Sequence, residues 1–86
     1  MDARARVAWN LRRFRVEQKL SQESLAVDAG VDRSYISGIE NGTFNPTVEI
    51  LDRFATALGV DVSDFLQKPQ SGSQQPKPLR SGRRPA

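Results

Sequence analysis

Apolar residues recur three or four positions apart over most of residues 1–66, which is the period of amphipathic helices. No run alternates polar and apolar side chains for long enough to predict a strand. A first helix is predicted over about residues 3–18, on which one stripe carries Val7, Leu11, Phe14 and Gln18. Trp9 lies off this stripe and is expected to cover an edge of the domain. The pattern therefore predicts an all-α fold.

Capping residues divide the rest of this region into four shorter helices. Ser21 and Asp32 stand at expected N-caps, because a side-chain oxygen there accepts hydrogen bonds from the free amides of the next turn. Gly30 is expected between the two helices as the left-handed residue that ends the first of them. Thr47 precedes a fourth helix. Asp61 precedes a short fifth helix, whose predicted buried residues are Val62, Phe65 and Leu66.

Residues 22–41 combine the second and third predicted helices with a tight turn that contains a glycine, as in a helix-turn-helix motif. Ala26 lies one turn before Gly30, where a larger side chain would push the third helix away. The residues predicted to fill the angle between the helices are Leu25, Ala29, Val31, Ile36 and Ile39. The residues left outside are Gln22, Arg33, Ser34, Tyr35 and Ser37. A generic helical hairpin has similar inward positions, so the pattern favours DNA binding without deciding it.

Residues 67–86 differ in composition from the rest, since they are nearly all Pro, Gly, Ser, Gln and basic side chains. Such a segment cannot offset the entropy cost of ordering its backbone. We therefore expect one folded domain over residues 1–66 and a disordered basic tail over residues 67–86. The tail would add non-specific phosphate contacts or act only as a solubilising end, and the second interpretation is slightly favoured.

Charge is unevenly distributed along the chain, whose formal net charge is +3. Residues 1–66 hold eight basic and ten acidic side chains, whereas the tail holds five basic and no acidic ones. Within the predicted domain, residues 1–35 are basic overall and residues 36–66 are acidic. This polarity suits a molecule that presents one face to a polyanion, although solvated helix surfaces without a target are the alternative.

The composition also narrows the function classes. Cysteine and histidine are both absent, which removes thiolate nucleophiles, imidazole bases and the usual soft metal ligands. No catalytic residue, cofactor or metal is predicted, and an enzyme is the least favoured class. No segment approaches the ~20 apolar residues of a membrane span. We expect a soluble, unprocessed protein of the cytoplasm, with no membrane partner.

Residues 11–66 resemble the Cro/C1-type helix-turn-helix domain, the xenobiotic-response-element family of bacterial and phage regulators. The resemblance is carried by "LSQESLA", by Gly30, by "IENG" and by "NPTVEILDRFATALGV", in the family's order and spacing. It implies a compact five-helix fold like that of lambda repressor. It also implies a docking mode in which the third helix enters the DNA major groove and the second lies across the backbone.

The resemblance further implies roles for individual residues. Base contacts are expected from Arg33, Ser34, Tyr35 and Ser37. Arg33 has the fork geometry that donates to guanine O6 and N7, but pairing with Asp32 or contact with phosphate are its alternatives. Phosphate contacts are expected from Gln22, Asn41, Thr43, Asn45 and Arg12. Three of these have simpler alternatives: an exposed first-turn residue for Gln22, a helix C-cap for Asn41, and a solvated surface arginine for Arg12.

An ion pair between Arg15 and Glu40 is also implied, linking the first helix to the end of the third. Both residues lie on otherwise apolar faces, so the pair is expected to be partly buried and structural. The leading hypothesis is a sequence-specific transcriptional regulator that binds a partly palindromic operator in double-stranded DNA as a homodimer. Ile50 and Ala57 are the proposed dimer surface, with the aliphatic residues of the fifth helix. The alternative is an antitoxin or adaptor whose main role is to bind a protein partner.

Overall fold

A computed structural model describes residues 2–69, which form four α-helices and a short 3₁₀ helix with no strand. The elements are α1 (Ala3–Glu17), α2 (Gln22–Ala29), α3 (Arg33–Glu40), α4 (Val48–Leu58) and the 3₁₀ helix (Val62–Leu66). The predicted all-α fold is confirmed, with a 3₁₀ helix as its fifth element. The predicted tail lies outside the described residues except for positions 67–69.

Three of the four predicted N-caps form the expected side-chain hydrogen bond. The Ser24 amide donates to Ser21 Oγ at 3.0 Å, and the Ile50 amide donates to Thr47 Oγ1 at 3.1 Å. Asp32 occupies the N-cap of α3 with an extended backbone, but its side chain makes no capping hydrogen bond. Asp32 is therefore the N-cap of α3, as predicted, but the predicted hydrogen bond from its side chain is not formed.

The last element begins with a capping box. The Asp61 carboxylate accepts from the Ser63 hydroxyl and amide, and the Asp61 amide donates to Asp64 Oδ2 at 2.9 Å. The hydrogen bonds from the Ser63 hydroxyl and then from its amide hold the pKa of Asp61 below its ordinary value. Asp61 is thus charged when it caps this helix at neutral pH.

The prediction that Leu66 is buried is wrong, since this side chain is 43% exposed. A 3₁₀ helix has about three residues per turn, so positions three apart share a face. Phe65 is fully buried, and Val62 packs against the core from the same face. Leu66 comes directly after Phe65 and turns away from the core.

The hydrophobic core lies where all five elements meet. Its fully buried side chains are Leu11, Leu25, Ile36, Ile39, Phe54 and Phe65. The rings of Phe14 and Phe65 meet edge to face, with centroids 5.7 Å apart. α1 packs against α3 and the 3₁₀ helix, while α2 packs against α3 and α4. α3 is consequently held from two sides.

The α2–α3 turn has the predicted glycine geometry. Gly30 has φ 73°, and the Val31 amide donates to the Ala26 carbonyl at 3.0 Å. A residue without a Cβ adopts this left-handed conformation at low cost, which is why helices commonly end on glycine. Ala26 is buried beside the turn, where close packing of the two helices requires a small side chain. This local geometry sets the direction in which α3 leaves α2.

Asn10 is a buried polar residue to which the sequence analysis gave no role. Its side chain is 1% exposed, and its amide nitrogen donates to the carbonyls of Phe65 and Gln67, both at 2.9 Å. These bonds tie the middle of α1 to the C-terminal end of the 3₁₀ helix. None of the helices within residues 2–69 is long and apolar enough to cross a membrane.

Candidate nucleic-acid interface

α3 presents a polar face to solvent because its apolar face is anchored in the core. Ile36 and Ile39 are fully buried, three residues apart on one side of the helix. Arg33 and Ser34 are exposed, and Ser37 is half-buried. Within the described part of the chain, Arg33 forms no ion pair with Asp32, which was one alternative to a base contact. Its guanidinium stands at the start of α3, where it is open to an incoming group.

Tyr35 is less exposed than its predicted position outside the motif implies. It is half-buried and packs against the edge of the core. Its ring also lies against that of Phe44, with centroids 5.6 Å apart and planes inclined by 31°. The prediction that Tyr35 is left outside is wrong to this extent, because the loop after α3 folds back and supplies a partner ring.

The predicted ion pair between Arg15 and Glu40 is formed, and it is buried. Arg15 Nε donates to Glu40 Oε2 at 2.7 Å and Nη2 donates to Oε1 at 2.9 Å. Arg15 Nη1 also donates to the Leu20 carbonyl at 2.8 Å. The two residues are 3% and 4% exposed. A bidentate arginine–carboxylate pair of this kind fixes the end of α3 against α1.

Glu40 also accepts from two residues predicted to contact phosphate. Arg12 Nε and Gln22 Nε2 both lie 3.2 Å from Glu40 Oε1. The Arg12 side chain is only 20% exposed, so the prediction that it points outward is wrong. Arg12 precedes Arg15 by three residues and therefore shares its face of α1, which looks toward the end of α3. One buried carboxylate thus gathers side chains from α1 and α2 beneath the exposed edge of α3.

The charge of this cluster is unbalanced. Two guanidinium groups, from Arg12 and Arg15, share the single carboxylate of Glu40. Within the described residues Arg12 uses only Nε toward Glu40, which leaves its Nη groups for another acceptor. Gln22 is the first residue of α2, where free backbone amides and the helix dipole favour an anion. The cluster therefore presents a net positive edge beside a helix N-terminus.

The loop after α3 is held against the last turn of the helix. Asn41 is the C-cap, Gly42 has φ 78°, and the Thr43 amide donates to the Gly38 carbonyl at 2.7 Å. The Gly42 amide donates to the Ile39 carbonyl at 3.1 Å, which completes a Schellman-type helix end. The side chains of Asn41, Thr43 and Asn45 are exposed. Asn41 thus has its C-cap role, and all three polar side chains remain open to a ligand.

The two α4 residues predicted to form a dimer surface are not strongly exposed. Ile50 and Ala57 are both half-buried and pack against the core. Within α4 and the 3₁₀ helix, the more exposed large apolar side chains are Val48, at 76%, and Leu66, at 43%. The sequence does not mark Val48 as an interface residue, because an isolated apolar residue at the start of a helix belongs to no recognisable pattern.

Comparisons with known proteins agree with this geometry. A family model described as helix-turn-helix matches residues 11–65. A relative named Neisseria hypothetical transcription factor, from Neisseria meningitidis, is 42% identical over 69 residues, which cover 80% of this chain and 65% of the relative. The chain thus spans just under two thirds of that relative's length.

Two solved structures share the fold over most of the chain. A crystal structure of the hypothetical transcription factor NHTF from Neisseria has a TM-score of 0.76 and 41% identity, covering 79% of this chain and 78% of that one. The restriction-modification controller protein C.AhdI from Aeromonas hydrophila has a TM-score of 0.70 and 35% identity, covering 72% of this chain and 94% of that one. Both similarities extend beyond the α2–α3 pair to the surrounding helices.

Proposed function

The chain belongs to the Cro/C1 type of the helix-turn-helix family, a regulatory DNA-binding family rather than an enzyme family, and we propose that it is a transcriptional regulator that reads its operator with α3. The observation that carries this proposal is the two-sided character of α3. Its inner face is anchored by Ile36 and Ile39, while Arg33 and Ser34 stand exposed on the other side. A rigidly held helix with an open polar face meets the requirements of major-groove readout.

The base contacts follow from the chemistry of the outer face. Arg33 donates from its guanidinium fork to the O6 and N7 acceptors of a guanine. Ser34 and Ser37 have hydroxyls that both donate and accept, so they suit several base edges. Tyr35 supplies an apolar ring edge and a hydroxyl next to them. These four residues are the proposed readers of sequence.

The phosphate contacts surround this face. The Gln22 side chain is braced by Glu40 at the N-terminus of α2, and Arg12 keeps its Nη groups available beside it. Asn41, Thr43 and Asn45, whose side chains are exposed at and after the end of α3, are the proposed contacts to a second phosphate. Such contacts fix the register of a protein on DNA without reading the sequence.

A homodimer on a partly palindromic operator is the proposed assembly. The described domain measures 33 × 31 × 24 Å, close to the spacing of about 34 Å between successive major grooves on one side of B-DNA. Two copies placed on adjacent half-sites would therefore meet. The exposed Val48 and Leu66, with the half-buried Ile50 and Ala57, are the proposed contact residues.

Binding to random-sequence duplex DNA at two salt concentrations tests the proposal. If each copy of a dimer engages about two phosphates through arginine, affinity should fall about 100-fold between ~50 mM and ~200 mM salt, because bound counterions are released. Fluorescence anisotropy with a labelled duplex measures this. Absent or salt-independent binding would contradict the proposal and favour the antitoxin or adaptor alternative.

A pair of neighbouring arginines supplies the matched control. Arg12→Gln should reduce the salt slope of log K by about one for each lost phosphate contact. Arg13→Gln removes the same charge from the next position, where the guanidinium lies 4.6 Å over the Phe14 ring and pairs with Glu17. Arg13→Gln should leave the slope unchanged. If the two variants had the same salt slope, Arg12 would not be a phosphate contact.

A further inference from the structure

Gly38 lies inside α3 at a position where alanine would favour the helix, so its presence needs a structural reason. The residue is buried, and the ring of Phe44 covers the place where a Cβ would stand. A Cβ added there would overlap three ring atoms, Cδ2, Cε2 and Cγ. The glycine therefore makes room for the Phe44 ring on the surface of the helix.

The backbone of the loop fixes where this ring lies. The amides of Thr43 and Phe44 both donate to the Gly38 carbonyl, at 2.7 and 3.1 Å. These bonds pin the loop to the last turn of α3 through main-chain atoms. The backbone of Phe44 is thus held beside Gly38 by main-chain hydrogen bonds.

The Phe44 ring lies over Gly38 on the outside of α3. It is 41% exposed. Its neighbour is Tyr35, whose ring centroid lies 5.6 Å away. Tyr35 precedes Gly38 by three residues, so the two lie on one face of α3 and the Phe44 ring bridges them.

We infer that Phe44 is a positioning residue for base recognition, which acts by holding the Tyr35 ring at one angle on α3. The core holds one side of the half-buried Tyr35 ring, and contact with Phe44 restricts the ring further before binding, which lowers the entropy cost of docking. Phe44 sets this restriction from the loop, without contacting a base itself. The inference rests on the proposed function and adds a residue that controls how sharply Tyr35 discriminates.

The test compares wild type with Phe44→Leu, which keeps an apolar cover over Gly38 and removes the aromatic ring. Tyr35 is the only tyrosine in the chain, so its ring resonances in an NMR spectrum need no assignment among alternatives. We expect Phe44→Leu to shift and broaden these resonances. On a duplex selected by wild type, we expect discrimination at one base-pair step per half-site to fall about 2- to 10-fold, the range for loss of an aromatic pair.

Affinity for random duplex should not change in this variant, because Phe44 carries no charge. Phe44→Tyr keeps a ring and should restore discrimination. In a Tyr35→Ala background, Phe44→Leu should have no further effect, since the two residues act as one unit. Gly38→Ala tests the same contact without changing the loop sequence. Its Cβ should displace the Phe44 ring and reduce base-pair discrimination as Phe44→Leu does.

Three results would overturn the inference while leaving the proposed function in place. The first is unchanged discrimination by Phe44→Leu and Gly38→Ala. The second is an equal loss of affinity for selected and random duplex, which would make Phe44 a general contact. The third is additive effects of Phe44→Leu and Tyr35→Ala. Failure of wild type to prefer any duplex would instead contradict the proposed function.

Discussion

The carboxylate of Glu40 organises three helices around the end of α3. It accepts from Arg15 of α1 through two bonds, and from Arg12 and Gln22 through one bond each. A charge so deeply buried is stable only when every remaining lone pair is occupied. Through this group, the side chains proposed to meet phosphate are attached directly to the helix proposed to read bases.

Replacing Glu40 should be strongly destabilising. Glu40→Ala leaves the Arg15 guanidinium buried without its partner, which costs about 3–5 kcal/mol in the free energy of unfolding. Glu17→Ala is the control: it removes the pair with Arg13, where the two side chains are 59% and 38% exposed, and should cost about 0.5 kcal/mol or less. Urea unfolding followed by circular dichroism measures both. Losses of similar size would show that the Glu40 cluster does not stabilise the fold.

The sequence predicts which residues share a face of a helix, but not which groups of another helix or loop contact that face. Arg15 and Glu40 were paired correctly because the family resemblance relates two distant positions. Arg12 was placed outside because α1 alone does not reveal that Glu40 has a free acceptor position toward it. No sequence pattern marks the role of Phe44. Its partner Tyr35 is nine residues away, and its ring packs where Gly38 has no side chain.

The 3₁₀ helix is attached to α1 by polar as well as apolar contacts. Phe65 supplies the apolar contact, with its ring against Phe14, and Asn10 supplies two hydrogen bonds to carbonyls at the end of the element. So short an element would not persist alone in water. Its place in the fold depends on these contacts with α1.

Removing the Asn10 amide should loosen this end of the domain. Asn10→Ala leaves the Phe65 and Gln67 carbonyls without their donor, and we expect a loss of about 1–3 kcal/mol in unfolding free energy. Hydrogen exchange should accelerate most at residues 62–67 and in the first half of α1. Asn45→Ala, in an exposed loop, should change unfolding free energy by about 0.5 kcal/mol or less. Unchanged exchange at residues 62–67 would contradict the role given to Asn10.

Helix bounds were predictable because caps are local signals. Ser21, Gly30 and Thr47 lie within one turn of the ends they mark, and their geometry needs no distant contact. The last element was less predictable, since five residues contain too few turns to distinguish a period of 3.6 from one of 3.0. That difference decided the exposure of Leu66.

Over the whole molecule, the predicted domain has no excess of positive charge. Residues 1–66 carry eight basic and ten acidic side chains. Within residues 1–66, attraction to DNA must therefore come from where the charges lie. The net positive Arg12–Arg15–Glu40 cluster and the exposed Arg33 belong to the proposed interface, whereas four of the acidic residues lie in α4 and the 3₁₀ helix or at its N-cap. In the proposed complex, this separation would orient one face of the domain toward DNA.

The most direct test of sequence readout by α3 is selection from a random duplex library, run side by side on wild type and Arg33→Ala. Wild type should enrich two inverted half-sites with centres about 10 base pairs apart or a multiple of that. Arg33→Ala should lose one preferred base pair in each half-site, with a cost of about 1–3 kcal/mol at that step, and keep the remaining preferences. No enrichment by wild type, or an unaltered preference in Arg33→Ala, would contradict the account.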